Sequence, residues 1–382
     1  MTTTENIEPF RIDVPESDLD GLRARLAATR WPDELTGAGT GYGMPLDQVQ
    51  RLAERWRSGY DWRAHEARLN EIPQFTTTID GTVVHFLHVR SPEPGARPLL
   101  LLHGWPGSVV EFLAMIGPLT DPRAHGADPA RAFHVVVPSL PGYGFSGPTT
   151  EPGWDSARMA RAFATLMTRL GYDRWGAAGG DAGALVGREL GILAPEGLTG
   201  VHLLQIFAFP SGDETEAAKM SDADRASLAG TTAEFQSKAG YQAIQQTRPQ
   251  TLGYGLTDSP AGTLAWNAEL WTGWGDHFAG LDVDTYLTHV SIYWFTRTSV
   301  SSARHYYEDA HSGAGYRDVP NQVPTAVAVF PEDFRTIRVC AERANHIVRY
   351  TEFGQGGHFA YTTHPDLVVG DLREFFASLS WA

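Results

Sequence analysis

The sequence predicts an α/β protein with a mostly parallel sheet, a helical insertion and an N-terminal arm. The sheet is predicted by short apolar runs at residues 98–103 and 133–138, which are typical of strands buried on both faces. Helical patterns alternate with these runs, as they do in parallel α/β sheets. The insertion is predicted by residues 211–320, which are largely helical in pattern and rich in aromatic side chains, including Trp266, Trp271, Trp274 and Tyr293.

The composition limits which classes of partner this chain can bind. Its 382 residues include 45 acidic and 30 basic ones, giving a formal net charge of −15, which disfavours nucleic acid and an anionic membrane as partners. The first residues show no signal-peptide pattern, and no run reaches the ~18 apolar residues of a membrane span. We therefore expect a soluble, cytoplasmic protein. Cys340 is the only cysteine, which excludes an intramolecular disulfide and a cysteine-based metal site; no metal and no cofactor are predicted.

Residues 1–74 are predicted to form the N-terminal arm. Leu19, Leu22 and Leu26 lie at helical spacing on one predicted face, as residues 49, 52 and 56 do on another. These faces have no core of their own, so we expect the arm to pack on another part of the chain. Its apolar and aromatic side chains also suit a homodimer.

Residues 75–210 are predicted to form the first part of the sheet core. Asp80-Gly81, between alternating runs at 75–79 and 82–89, predicts a hairpin. The strand at 98–103 leads to a helix at 109–116, the strand at 133–138 precedes a helix at 156–170, and the pattern ends at the apolar run 203–207. Residues 211–320 are predicted to be a helical lid. Residues 321–382 return to the core with strands at 324–330 and 346–350 and a closing helix at 365–379.

The most informative segment is Gly179-Gly180-Asp181-Ala182-Gly183. A strand, a turn too tight for side chains and a helix make a nucleophile elbow, which in its commoner G-x-S-x-G form carries a serine at the apex. Here the apex is Asp181, whose carboxylate is ionised at neutral pH without help from a base. Such a carboxylate can attack a saturated carbon and form an alkyl ester. The alternative is that Asp181 only caps the helix that follows.

Turnover of that ester requires a base that activates water, and His358 is the candidate. It follows the last predicted strand, at the carboxyl edge that also carries the elbow, and the chain order of nucleophile, acid and histidine matches the α/β-hydrolase arrangement. Asp333 is the preferred acid partner of the histidine. Glu332 is the alternate and Glu308 a third choice, because the sequence does not show which side chain points inward.

The oxyanion that forms during ester hydrolysis requires backbone N–H donors. We expect them from Ala182, directly after the nucleophile, and from Trp105, in the loop after the first buried strand. The Trp105-Pro106 bond is expected to be cis, because tight turns are where cis proline is usually found. His103 is expected to be structural, hydrogen-bonded beneath this turn.

Taken together, five motifs resemble those of the microsomal-type epoxide hydrolases of the α/β-hydrolase superfamily, in particular the soluble bacterial members. The motifs are His103-Gly-Trp-Pro-Gly-Ser108, Gly179-Gly-Asp-Ala-Gly183, Ser301-Ser-Ala-Arg-His-Tyr-Tyr-Glu308, Phe330-Pro-Glu-Asp333 and Gly356-Gly-His-Phe359. The resemblance implies an α/β-hydrolase fold with an inserted helical lid and an N-terminal meander, and a small-molecule epoxide substrate that is opened to a diol.

The resemblance also implies roles for individual residues. Asp181 matches the nucleophile, His358 the base and Asp333 the supporting acid. Two lid tyrosines, Tyr241 and Tyr306, match the residues that donate protons to the epoxide oxygen, with Tyr307 as the alternate to Tyr306.

One residue departs from that family's pattern. The position after the nucleophile is commonly a bulky aromatic residue there, whereas here it is Ala182, which predicts a wider pocket and a larger substrate than a simple terminal epoxide. Two other functions share parts of this pattern. A haloalkane dehalogenase also uses an elbow aspartate, but it holds the halide with a tryptophan where this chain has Ala182. A catalytically inactive hydrolase-fold protein that binds a ligand would not need an intact nucleophile, base and acid.

Overall fold

The structure is a computed structural model that describes residues 6–273 and 281–381, with the backbone alone for residues 234–236 and 273. Trp274, one of the predicted lid aromatics, lies outside these ranges. Among the described residues, no helix is both long enough and apolar enough to cross a membrane.

One sheet lies at the centre of the described part of the chain. Its strands are β1 (Glu8–Pro9), β2 (Gln74–Ile79), β3 (Thr82–Val89), β4 (Arg97–Leu102), β5 (Phe133–Pro138), β6 (Trp175–Gly179), β7 (Leu198–Leu203), β8 (Asn321–Val329) and β9 (Asn345–Glu352). Their order is β1-β2-β3-β5-β4-β6-β7-β8-β9. The pairings from β1 to β5 are antiparallel and those from β5 to β9 are parallel, so the predicted mostly parallel sheet is confirmed.

Helices cover both faces of this sheet and fill the insertion. They are α1 (Glu16–Ala27), α2 (Leu46–Glu54), α3 (Trp62–Leu69), α4 (Leu113–Thr120), α5 (Ser156–Arg169), α6 (Ala182–Leu193), α7 (Glu214–Lys219), α8 (Asp222–Lys238), α9 (Gly240–Thr247), α10 (Pro249–Asp258), α11 (Pro260–Gly273), α12 (Val283–Thr296), α13 (Ser299–Ser312), α14 (Arg338–Ala341), α15 (Ala360–Thr363) and α16 (Pro365–Ser378). The segment between β7 and β8 is thus largely helical where it is described, as predicted. The division of the chain at residues 74, 210 and 320 stays a prediction.

The alternation of side chains along β4 explains why the sheet is covered on both sides. Leu100 and Leu102 belong to a buried cluster that contains Phe163 of α5, whereas Leu99 and Leu101 belong to a second cluster with Phe375 of α16 and Met115 of α4. All four leucines have no exposed surface. A continuous apolar run is therefore required in this strand.

The predicted hairpin is confirmed, and two predicted boundaries are shifted. Ile79 pairs with Thr82 across Asp80 and Gly81, both of which have positive φ angles, 49° and 76°. The helix predicted at 109–116 is a 3-10 turn, Val109–Phe112, followed by α4. Of the run at 203–207 only Leu203 lies in a strand, because β7 begins at Leu198, where the sequence Leu-Thr-Gly is a weak strand signal.

The N-terminal arm packs on the lid, as expected from its apolar faces. Leu22, Leu26 and Leu52 share a buried cluster with residues of α11 and α12. Trp56, which is 2% exposed, donates its indole N–H to Ser291 Oγ of α12 at 2.8 Å. Trp31 differs from this pattern because it remains 37% exposed.

Candidate active site

The elbow at Asp181 joins β6 to α6 through a turn that only small residues allow. A Cβ atom at Gly183 would lie 2.0 Å from the Leu102 carbonyl oxygen, and one at Gly179 would lie 2.2 Å from the Gly183 carbonyl oxygen. Asp181 itself has a φ of +52°, which is uncommon for a residue with a side chain. The side chain makes no capping hydrogen bond to α6, so the capping alternative is wrong.

The two carboxylate oxygens of Asp181 contact different groups. Oδ1 accepts a hydrogen bond from the Trp105 N–H at 2.8 Å, and Oδ2 lies 3.6 Å from Nε2 of His358. The Ala182 N–H donates no hydrogen bond to this carboxylate in the described structure. Of the two predicted oxyanion donors, Trp105 is therefore in contact with Asp181, and Ala182 is adjacent to it at the start of α6.

His358 is held by Asp333 and not by the alternate acids. Its Nδ1 lies 2.8 Å from Asp333 Oδ1, and the Asp333 side chain is 2% exposed. Glu332 is exposed, with its backbone N–H bonded to the Gly356 carbonyl oxygen, and Glu308 does not line the cavity that contains the histidine. The preference for Asp333 thus agrees with the geometry.

Gln205 joins the nucleophile to the acid, and the sequence did not single it out. Its Oε1 accepts the Asp181 N–H at 2.8 Å, and its Nε2 donates to Asp333 Oδ2. The available signal was a single polar residue within the apolar run at 203–207.

The electrostatic surroundings of His358 favour its protonated form. Burial alone would lower the pKa of this imidazole, but the charge and hydrogen bond of Asp333, followed by the charge of Asp181, outweigh burial and raise the pKa to about 9.

The two predicted proton donors line the same cavity as Asp181 and lie against the Trp105 ring. Tyr241 stacks on Trp105 with ring centroids 5.5 Å apart, and Tyr306 meets the same ring edge-on at 5.7 Å. Burial, followed by the charge of Asp181, raises the pKa of both phenols, so both remain protonated at neutral pH. Tyr307 stacks on His311 and does not line the cavity, which favours Tyr306 over its alternate.

These groups line a cavity of about 140 Å³. Its remaining wall is mostly apolar and aromatic, and it includes Tyr316, which the sequence did not single out. The apolar and aromatic wall includes Ala182, Leu185, Phe207, Leu270, Tyr316 and Phe334. Within the described ranges no group of three or more His, Cys, Asp and Glu side chains could hold a metal ion.

The turn that carries the Trp105 N–H is held by hydrogen bonds of the buried His103 ring. The Trp105-Pro106 bond is cis, as predicted. The His103 ring donates through Nδ1 to the Gly104 carbonyl oxygen at 2.9 Å and accepts the Leu140 N–H at Nε2 at 3.1 Å. Burial lowers the pKa of His103 to about 4, which keeps it neutral, so the predicted structural role is confirmed.

A buried network anchors the lid helix that carries Tyr306. Asp309 accepts hydrogen bonds from the Ser156 N–H at 2.7 Å and from the Ser156 hydroxyl at 2.6 Å. His305 lies 2.9 Å from the Ser156 hydroxyl through Nε2, and 2.9 Å from the Tyr143 hydroxyl through Nδ1. Burial opposes protonation of His305, but Asp309 outweighs it and raises its pKa. The network thus ties α13 to the start of α5 in the core.

Two family models match the chain. The model described as "Epoxide hydrolase N terminus" matches residues 7–112, and the model described as "alpha/beta hydrolase fold" matches residues 97–243. Among curated proteins, a Stigmatella aurantiaca protein is 46% identical to this chain, over 98% of this chain and 85% of that protein. Its name assigns it provisionally as an epoxide hydrolase. Epoxide hydrolase 1 of Sus scrofa is 32% identical, over 98% of this chain and 89% of that protein.

Solved structures give the same result. Juvenile hormone epoxide hydrolase from the silkworm Bombyx mori superposes with a TM-score of 0.90 at 30% identity, covering 98% of this chain and 95% of that one. Aspergillus niger epoxide hydrolase gives 0.87 at 31% identity, covering 99% and 98%. These comparisons favour neither the dehalogenase nor the inactive-scaffold alternative.

Proposed function

The chain belongs to the epoxide hydrolase family and has the α/β-hydrolase fold, and from this premise we propose that it opens an epoxide to a vicinal diol through a covalent ester on Asp181. The observation that carries the proposal is the arrangement around that carboxylate. One oxygen of Asp181 is bound by the Trp105 N–H, the other faces His358, and Tyr241 and Tyr306 line the same cavity, with their rings against Trp105.

In the first step, Asp181 Oδ2 attacks an epoxide carbon. Oδ1 is occupied by the Trp105 N–H at 2.8 Å, so Oδ2 is the oxygen that is free to form the new C–O bond. As the epoxide C–O bond breaks, its electron pair remains on the epoxide oxygen, which takes a proton from Tyr241 or Tyr306. An alkoxide is a poor leaving group without such a proton donor.

In the second step, His358 removes a proton from water, and the resulting hydroxide attacks Cγ of the Asp181 ester. The negative charge forms on Oδ1, where the Trp105 N–H already donates; the Ala182 N–H is the proposed second donor. Collapse of this intermediate breaks the bond between Cγ and the ester oxygen, and that oxygen, now part of the diol, takes the proton held by His358. The Asp181 carboxyl group, which now contains the oxygen of the water, loses its proton to the tyrosinate left by the first step, so both groups return to their starting forms. Asp333 holds His358 in orientation and stabilises its protonated form.

A single turnover in oxygen-18 water tests the covalent route. With enzyme in excess over a reporter epoxide, the first diol should lack the label, because its new oxygen comes from Asp181. His358→Gln should accumulate the ester, seen as a mass increase on the intact protein, because the second step lacks its base. Asp181→Ala should show neither ester nor turnover. Label in the first diol, or activity in Asp181→Ala, would overturn the proposal.

The small side chain of Ala182 leads to a proposal about substrate size. Ala182 lines the cavity beside the nucleophile together with Leu185 and Leu270, so a larger side chain there would occupy space next to the reacting carbon. We expect Ala182→Trp to lower kcat/KM for a bulky aryl epoxide at least ~10-fold more than for a small aliphatic one. An unchanged preference would contradict the proposal.

A further inference from the structure

A buried carboxyl group lies beneath the turn that carries the Trp105 N–H, and the mechanism above does not use it. Glu111 is 5% exposed and lies in the 3-10 turn Val109–Phe112. Its Oε1 accepts the Gly104 N–H at 3.4 Å. A Cβ atom at Gly107 would lie 1.5 Å from the same Oε1, so that glycine leaves the space that the carboxyl group fills.

Gly104 separates this carboxyl group from the nucleophile. Its N–H points to Glu111, whereas a Cβ atom on Gly104 would lie 2.5 Å from Cβ of Asp181. The next N–H along the chain, that of Trp105, donates to Asp181 Oδ1. A single turn therefore contacts Glu111 on one side and the nucleophile on the other.

The surroundings of Glu111 favour its neutral form. Within the described ranges, no arginine, lysine or histidine forms an ion pair with it. The titratable groups that face it are Asp181 from the elbow, His358 from the loop after β9, Tyr293 from α12 and Tyr361 from α15. Burial above all, together with the charge of Asp181, raises the pKa of Glu111 to about 8.

We propose that Glu111 is a positioning residue for ester hydrolysis, which supports the Gly104–Trp105 turn as a neutral carboxylic acid. The inference rests on the proposed covalent route, because it concerns the oxyanion that forms on Asp181 Oδ1. A neutral acid holds the turn without placing negative charge near that oxyanion. The carboxylate form would repel the oxyanion, and this repulsion is screened less between buried groups than in bulk water.

The test compares wild type with Glu111→Gln, which has nearly the same shape and cannot ionise. Ester formation and ester hydrolysis are timed separately in single turnovers by rapid quench and intact-protein mass. The ester lacks the charge of Asp181, so Glu111 ionises in the ester at a lower pH than in the free enzyme. Wild-type hydrolysis should therefore slow about fivefold or more between roughly pH 6.5 and 9.5, whereas the rate in Glu111→Gln should not fall over this range. At pH 7 the variant should hydrolyse the ester within about threefold of wild type, because it keeps the hydrogen-bond acceptor.

Two results would overturn the inference while leaving the covalent route intact. One is a wild-type hydrolysis rate that does not fall over this pH range, which is decisive whether or not the variant folds. The other is an equal fall in Glu111→Gln, since the loss would then belong to another group. If neither wild-type enzyme nor His358→Gln gains the mass of the substrate, the covalent route itself fails, and the mass measurement separates that outcome from the other two.

Discussion

At the residue scale, the hydroxyl group of Tyr306 can be removed while the aromatic ring stays in place. Phenylalanine at Tyr306 keeps the ring that meets Trp105 edge-on and removes only the proton donor. We expect Tyr306→Phe to slow ester formation by about 100-fold, in the range typical of a lost general acid. Rapid-quench measurement of the ester checks this.

Tyr307→Phe is the matched control, because its ring stacks on His311 and lies outside the cavity. Its ester-formation rate should stay within about twofold of wild type. Equal losses in the two variants would contradict the assignment of Tyr306.

The acid side of the pH profile should belong to His358. Burial opposes its protonation, and Asp333 and then Asp181 raise its pKa to about 9. Esterification removes the charge of Asp181, so in the ester the pKa of His358 falls below that value. Hydrolysis needs the neutral imidazole; its rate is therefore full above this lower pKa and is lost as pH falls through it.

Measuring the rate at which preformed ester is hydrolysed between about pH 5 and 8 tests this prediction, because the rate should decrease as the pH falls. Ester formation should lack the same acid limb, because it does not require neutral His358. The hypothesis fails if both steps lose rate together with one apparent pKa.

Much of the site could be predicted from residues that stand in motifs. Asp181, His358 and Asp333 could be named because each follows a predicted strand at the carboxyl edge of the sheet, and the structure brings them together. Gln205 and Glu111 could not. Each is one polar residue in an apolar run, and its position depends on contacts with segments far away in sequence, which no local pattern encodes.

At the scale of elements, α13 is held to the core by Asp309, and this anchor should matter for both stability and rate. Asp309→Asn places an amide opposite the N–H and hydroxyl of Ser156 and removes the charge that raises the pKa of His305. We expect it to lower the free energy of unfolding by roughly 2–4 kcal/mol, as when a buried charged partner is lost. Ester formation should also slow, because Tyr306 lies on the same helix.

Urea denaturation and rapid quench measure these two effects. Glu308→Gln, a neighbouring change outside the network, should leave both within error. A stable Asp309→Asn protein with wild-type kinetics would show that α13 is positioned by other contacts.

Elements were predicted best where burial is complete. The runs that became β4 and β5 are apolar along their whole length because both faces of the sheet are covered. β7 was missed at its start because Gly200 lies against Phe375 and Leu379, where a Cβ atom would be 2.5 Å from Leu379. Packing against α16 thus selected a residue that weakens the strand signal.

At the scale of the whole molecule, the N-terminal arm is joined to the lid by Trp56. Its ring is 2% exposed, and its indole N–H bonds Ser291. Trp56→Ala should lower the free energy of unfolding by about 3–5 kcal/mol, the usual cost of a large cavity. Trp56→Phe should cost less, because it loses mainly the hydrogen bond and part of the ring.

Denaturation curves of these variants test whether the contact between the arm and the lid contributes to the free energy of unfolding. Trp31→Ala, at a 37% exposed position in the same arm, is the control and should cost less than about 1 kcal/mol. Equal effects at Trp31 and Trp56 would argue against this packing of the arm on the lid.

The sequence predicted that the arm packs on another part of the chain. It could not identify the lid as that part, because apolar spacing indicates that a face is buried and does not indicate what covers it.

The contact between Gly107 and the Glu111 carboxyl group has a consequence for how this segment can change in evolution. Since a Cβ atom at position 107 would lie 1.5 Å from the carboxyl oxygen, a side chain at position 107 would require the Glu111 carboxyl group to move or to be shortened. Natural sequences should therefore show linked variation: a side chain larger than hydrogen at position 107 should appear only together with a shortened one at position 111. A lineage that gains a side chain at position 107 would have to reposition or shorten the acid.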